Sequence, residues 1–410
     1  MMLGLLLARA GVRVLVLEKH ADFLRDFRGD TVHPSTLDVL HDLGLLDAFL
    51  QRPHDKAREL RVDIGGQQAT IADFSRLKTR CGFIAMVPQW EFLDFLRDEA
   101  ERAPAFALRL QAQAKELLVE GDRVAGIRAE TPQGSLVIHA DLVIAADGRA
   151  STLRQAAGLT VRDLGAPIDV LWMRIARHAG DPAGSGGRIG TGRFLAMIDR
   201  GTYWQCAYLI PKGGIDAIRA RGLAAFRSDV AAIAPLFADR LEQQLPDWDA
   251  VKLLSVRVDR LEQWWKPGLL CIGDAAHAMS PIGGVGINLA IQDAVATANL
   301  LAAPLADPTV PPEALTPFLA RVQARRLFPT RVTQGLQVAM QNRVLDPLLD
   351  STQPPRMPGV LRLLDRFPPL RALPAYAVGV GVRPERVRSA AIAPAVPAEL
   401  SHSRPAATDR

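Results

Sequence analysis

A chain of 410 residues that is 49% hydrophobic can bury one large core or two moderate ones, and its length suggests two to three domains. Its 49 Lys and Arg are interleaved with 44 Asp and Glu for a net charge of only +5, which argues against a nucleic-acid face. Cys81, Cys206 and Cys271 are far apart, odd in number and set in apolar surroundings, so reduced thiols in a cytoplasmic protein are expected rather than a disulfide framework or a metal site.

The chain opens on apolar residues 1–7 followed by Arg9, a superficial likeness to a signal peptide. No basic region precedes them, and the next apolar run is broken by Arg13 and ends at Glu18 and Lys19, so secretion is not expected. No uninterrupted apolar run reaches the ~18 residues of a membrane span. Residues 3–10 predict a helix closed by Gly11, and residues 12–18 a strand ending in the acid Glu18. That is the second half of a βαβ unit. In a dinucleotide fold the acid ending the second strand accepts ribose hydroxyls and lies ~20 residues beyond a glycine fingerprint. Counting back from Glu18 puts that fingerprint at or before Met1, so the chain is expected to begin inside the first helix, without the first strand or its glycines. Taken alone, Glu18 fits an exposed strand-end acid equally well.

Arg28 follows in a loop, and residues 61–71 predict a strand or hairpin. Gln89 opens a helix with amphipathic spacing at Phe92, Leu93, Phe95 and Leu96, where a simple N-terminal cap is the competing reading. Residues 141–154 predict a third strand, an Asp147-Gly148 turn at its carboxyl end, and a helix with Ser151 and Thr152 in its first turn. The carboxyl ends of such strands are where open α/β sheets bind ligands, although Asp-Gly by itself is only a turn.

Between residues 163 and 259, runs such as 168–175, 192–198 and 203–210 are joined by Gly-rich turns and predict an antiparallel sheet. Trp172, Met173, Phe194, Met197, Trp204 and Tyr208 lie on it, and strand alternation leaves about half of them for a pocket. Residues 268–288 then predict a buried strand, Asp274 at its carboxyl end, and a glycine loop opening a helix near Gly286. A carboxylate beside exposed backbone N–H groups can hold a polyol hydroxyl and an electron-rich ring edge together, which is what a flavin nucleotide requires. His277 in this stretch is read as structural. Beyond it come a proline-rich linker over 304–317, a helix over 321–345, a short helical region over 359–373 and an Ala-, Pro- and Arg-rich tail expected to be disordered. Gly379 and Gly381 read as a turn.

The acid-tipped second strand, the Asp147-Gly148 turn with Arg149 and Arg154, and the Gly273-Asp274 strand with Pro281 to Asn288 resemble the flavin-binding motifs of single-component FAD-dependent aromatic hydroxylases, the group typified by para-hydroxybenzoate hydroxylase. The likeness runs over residues 1–330 in order and spacing. It implies an α/β fold with a Rossmann-like, three-layer FAD-binding domain over 1–60, 84–160 and 255–305. An antiparallel-sheet substrate domain over 61–83 and 161–254 would be inserted in it, followed by a C-terminal helical region over 306–385 and the tail over 386–410. It further implies that Asp274 contacts the ribityl hydroxyls, and that Pro281, Gly283, Gly284, Gly286, Ile287 and Asn288 lie along the pyrimidine edge of the isoalloxazine. Asp147 would sit near the ribose and pyrophosphate, Arg28 and Gln89 near the phosphates, and Glu18 at the adenosine ribose.

The implied reaction uses FAD, NADH or NADPH as reductant, and O2 to hydroxylate a small aromatic molecule through a flavin hydroperoxide. The resemblance names no catalytic acid or base, no metal and no nucleic-acid partner, and leaves a homodimer open. Trp264-Trp265 does not fit the Trp-x-Trp-x-Ile-Pro motif of the related flavin halogenases. The alternatives are a flavin-dependent reductase of the polyprenyl reductase type, or a truncated flavoprotein with weak or no activity.

Overall fold

A computed structural model describes residues 1–24, 31–182 and 184–388; Arg28 and most of the predicted tail lie outside the described residues. Helix α1 (Met2–Arg9) turns at Gly11 into β1 (Val14–Leu17). Helix α2 (Pro34–Asp42) starts with proline in its first turn, where the missing N–H costs nothing. The hairpin β2 (Glu59–Ile64) and β3 (Gln67–Asp73) precedes α3 (Gln89–Ala100), β4 (Phe106–Arg109), β5 (Val143–Ala145) and the short helix α4 (Thr152–Ala156). Strands β6 (Ile168–Ala176), β7 (Gly186–Gly190), β8 (Arg193–Asp199) and β9 (Tyr203–Pro211) lead to helix α5 (Leu223–Ile233), β10 (Lys252–Leu254) and β11 (Leu269–Cys271). The chain closes with α6 (Gly286–Ala306), α7 (Thr316–Met340), α8 (Gly359–Arg366) and α9 (Ala372–Gly379).

Two bodies of structure meet along the chain. In the first, β1 pairs in parallel with β4, and β5 in parallel with β11. Among the described residues β1 bonds β4 alone and β5 bonds β11 alone, and both strands border one large cavity. Helix α1 is apolar on every side because it is sandwiched between these strands, α3 and α6, and Leu5 and Leu6 are wholly buried. In the second, seven strands run in the order β10-β6-β9-β8-β7-β2-β3, so the hairpin predicted near residues 61–71 joins the sheet formed by residues 168–254. One face of this sheet packs Met173, Leu195, Trp204 and Tyr208 against Phe226 and Val230 of α5. Its other face carries Val170, Trp172, Phe194 and Leu209 toward the cavity.

Three sequence expectations are corrected at the C-terminal side. The predicted linker over 304–317 shrinks because α6 continues through Pro304 to Ala306, and Pro312–Leu315 form a single 3-10 turn into α7. Pro304 sits in the last turn of α6, where it forgoes its own N–H bond to the carbonyl four residues back but leaves only Leu305 and Ala306 beyond it. The predicted helix over 321–345 begins earlier, at Thr316, and widens into a π-turn at Gln341–Leu345. Residues 386–388, assigned to the disordered tail, are tied down: Arg386 pairs with Asp42 and Asp38, and the Arg388 amide donates to Asn299 Oδ1 at 2.9 Å. The segment Ile282–Ala306 is long and apolar enough to cross a membrane by composition, and here it is the central core helix, with Val295, Ala298 and Leu301 buried against its neighbours.

Candidate functional site

The cavity between the two bodies has a volume of about 2290 Å3. Of the sequence-predicted site residues, Glu18, Gln89, Asp147, Asp274, Pro281, Gly283, Gly284, Gly286 and Ile287 all line it. They arrive from four separate stretches of chain. Glu18 ends β1, where its carboxylate accepts from the His20 amide at 2.9 Å. Gln89 is the first residue of α3, whose cap position is Pro88, so its side chain is not the helix cap. Asp147 is exposed at the end of β5, and one carboxylate oxygen accepts from the Leu153 amide at 3.2 Å.

The turn after β5 and the turn after β11 are held as one unit by Arg154. Its buried guanidinium donates to both carboxylate oxygens of Asp259 at 3.3 Å, to the Ala275 carbonyl at 3.3 Å and to the Arg149 carbonyl at 2.6 Å. This brings Arg149 within 3.9 Å of Asp274, whose side chain is about a third exposed to the cavity. Asp274 therefore faces the cavity beside a cation, with its carboxylate oxygens placed to accept hydrogen bonds.

The glycine loop has a backbone that only glycine adopts without strain: Gly283 and Gly284 have φ of +77° and +63°. A Cβ on Gly284 would stand 2.6 Å from the Thr31 hydroxyl, and one on Gly286 would project toward Asp274. The loop thus presents bare backbone at the start of the 21-residue helix α6, next to a carboxylate. That donor set fits the ring edge and polyol chain of a flavin, with the positive end of the helix where reduced flavin gathers negative charge.

Asn288 departs from the other predicted residues. Its side chain is 2% exposed and turned away from the cavity, and its Oδ1 accepts from Ser35 Oγ at 2.8 Å and Thr36 Oγ1 at 2.7 Å. It clamps the start of α6 onto the start of α2. The same clamp includes Gln292, which donates to Ser35 Oγ at 3.3 Å, and Thr31, which donates to the Gly284 carbonyl at 3.3 Å. His33 completes it, with Nδ1 2.8 Å from the Val378 carbonyl of α9. Burial pushes the His33 imidazole down to about 4, against the pull of hydrogen bonds from Val378 and Gly284, so the ring is neutral at pH 7. Sequence reading missed Thr31, His33, Ser35 and Thr36; their partners lie more than 250 residues away, and the only local signal was a polar run ahead of Pro34.

A second buried network braces the Asp274 turn from behind. Asp293 accepts from the Gly273 amide at 3.0 Å, sits 2.6 Å from His277 Nε2 and pairs with Arg326 at 2.9 Å. Burial alone would raise its carboxyl, but His277 and Arg326 outweigh burial and hold it below the usual carboxylate range. His277, wholly inside this network, is structural as its sequence context suggested.

On the sheet side, Trp172 and Phe194 face the cavity, and Met197, which reaches its edge, packs with the α5-side cluster. Met173, Trp204 and Tyr208 pack on the opposite face, as strand alternation requires. Among the described residues no cluster of His, Cys, Asp and Glu fits a metal ion.

Comparison with known proteins places this geometry in context. The profile of a family described as FAD binding domain matches residues 1–311. The 6-methylpretetramide 4-monooxygenase of Streptomyces rimosus is 32% identical over 84% of this chain and 81% of its own length. A rifampicin monooxygenase of Streptomyces venezuelae is 29% identical over 69% of this chain, which spans 58% of that relative. Among solved structures, PqsL of Pseudomonas aeruginosa, described as a probable FAD-dependent monooxygenase, superposes with a TM-score of 0.69 at 21% identity, over 92% of this chain and 95% of that one.

Proposed function

The chain belongs to the FAD binding domain family, and from that premise we propose that it is an FAD-dependent monooxygenase. It uses NADH or NADPH and O2 to hydroxylate a small aromatic molecule. The observation that carries this reading is the convergence of Asp274, Arg149 and the bare loop Gly283 to Ile287 on one cavity that the apolar face of the seven-stranded sheet also lines.

Bound FAD supplies the electron relay that lets a nicotinamide activate dioxygen for transfer of one oxygen atom to an electron-rich ring. The protein's own contribution is placement. Asp274 would accept from the polyol hydroxyls of bound FAD, with Arg149 balancing its charge. The amides at the start of α6 and the helix dipole favour negative charge at the ring edge that they face. Asp147, Gln89 and Glu18 line the cavity farther along, where the phosphates and ribose would lie. Trp172 and Phe194 form an apolar floor that orients an aromatic ring and keeps water from the reacting atoms. No acid or base is assigned to the chemical step.

The reading extends to a cytoplasmic location, supported by three buried free cysteines, and to NADH or NADPH as the electron donor. A homodimer is compatible with it. The decisive measurement is the absorbance spectrum of the purified protein, followed by NAD(P)H oxidation with a panel of phenols. Flavin bands and phenol-stimulated oxidation are expected. Asp274→Ala should lower FAD affinity at least tenfold, since losing a charge-assisted hydrogen bond is worth ~1.5–3 kcal/mol. A colourless protein whose melting temperature does not respond to added FAD overturns the reading.

A further inference from the structure

We propose that the substrate end of the cavity is built for an uncharged, flat, fused-ring compound and discriminates against single rings and ring carboxylates. The inference rests on the proposed flavin reading for its chemistry, but its evidence lies in the sheet face and the mouth of the cavity.

The first observation is the span of the floor. Leu254, Trp172, Phe194 and Gly187, part-exposed residues of β10, β6, β8 and β7, line the cavity, with Leu209 of β9 buried between them. Four inter-strand steps of ~4.8 Å make this floor roughly 19 Å wide, whereas a single aromatic ring covers roughly one step. A ligand that leaves most of such a floor wet forfeits the hydrophobic gain, which grows with the apolar area covered.

The second observation is charge. The charged side chains lining the sheet end are Glu59 and Arg61, which pair with each other at 2.6 Å, and Arg61 is 62% exposed. The other cavity-lining charges belong to the flavin end, among them Glu18, Asp147, Arg149 and Asp274. The polar groups of the sheet end are already engaged. Gln337 donates to the Ser280 and Ile282 carbonyls at 3.0 Å each, Gln205 accepts from Arg200 at 3.2 Å, and Ser255 accepts from Lys212 at 3.0 Å. A carboxylate entering here would be desolvated without a cation to meet it, which costs several kcal/mol or more.

The third observation is the entrance. Leu336 and Met340 of α7 and Pro374 and Ala377 of α9 line the cavity. Leu336 is 57% and Met340 45% exposed, and Leu373 and Tyr376 stand exposed on the same short helix. An apolar rim admits an apolar ligand and gives an anion nothing to replace its hydration.

Calorimetric titration of the purified full chain at pH 7 tests this with 2-naphthol, 6-hydroxy-2-naphthoate and phenol, each with and without added FAD. The expected order places 2-naphthol at least tenfold tighter than both others. A preference below tenfold over either competitor overturns the inference. Trp172→Ala should weaken 2-naphthol at least fivefold and leave the FAD content unchanged; unaltered naphthol binding would remove the floor from the argument. Failure of the flavin reading shows separately as a colourless protein, and the ring panel is read out whether or not flavin is bound.

Discussion

His33 is a single buried side chain on which the loop that faces the ligand depends. It touches the Val378 carbonyl and the Thr31 hydroxyl, and Thr31 in turn holds the Gly284 carbonyl. Its imidazole titrates near 4 in the folded protein and near 6.5 in the unfolded chain, so folding is favoured by the neutral ring. That stability is fully present above pH 6.5 and is lost as pH falls through the window toward 4, on the order of 3 kcal/mol if the ring must charge. The melting temperature should therefore drop between pH 6.5 and 4.5, and His33→Gln should flatten the slope over that window. An unchanged slope in the variant would remove His33 as its source. At the neighbouring position, Gly284→Ala combines a φ of +63° with a Cβ 2.6 Å from a hydroxyl, and should destabilise by ~1–3 kcal/mol in urea titrations.

At the scale of elements, the site is two strand-to-helix turns locked together, and Arg154 is the lock. It spans the turn after β5, through the Arg149 carbonyl, and the turn after β11, through the Ala275 carbonyl, while its charge is met by Asp259. Arg154→Met leaves Asp259 buried without its partner and should cost about 3–5 kcal/mol, with a parallel loss of FAD affinity. Loss of stability with FAD affinity intact would show that the turns hold their geometry without it. These turns were legible in the sequence because each is local: a strand, an acid and a glycine within ten residues, at Asp147-Gly148 and at Gly273-Asp274. Alternation along a strand indicated that only some of the six side chains would face the pocket, without telling that Trp172 and Phe194 are among them and Trp204 and Tyr208 are not. The clamp of Ser35, Thr36 and Asn288 was not legible, because nothing within a window of either segment says that two hydroxyls will meet one amide oxygen 252 and 253 residues away. Proline misled for a related reason: Pro304 was read as a break, but it costs α6 one N–H bond two residues before its end, and the helix carries through it.

Across the whole molecule, the end of the chain returns to its beginning. Arg325 and Arg326 pair with Glu385, Arg326 continues to Asp293, and Arg386 grips Asp38 and Asp42 of α2. Deleting the residues beyond Gly381 should leave Arg326 without one of its carboxylates and lower stability by about 3–5 kcal/mol, while the residues that line the floor stay in place. Urea denaturation of the shortened chain measures this, and a change below ~1 kcal/mol would show the tether to be ornamental.

The tether also has a clock in it. Ser35 bonds the Gly379 carbonyl, and Arg386 bonds Asp38, across separations of 344 and 348 residues. At a synthesis rate of ~5–20 residues per second, roughly 20–70 s pass between the appearance of α2 and the arrival of the partners that seal it. During that interval His33 and the cleft beside it lack the partners that cover them in the folded chain.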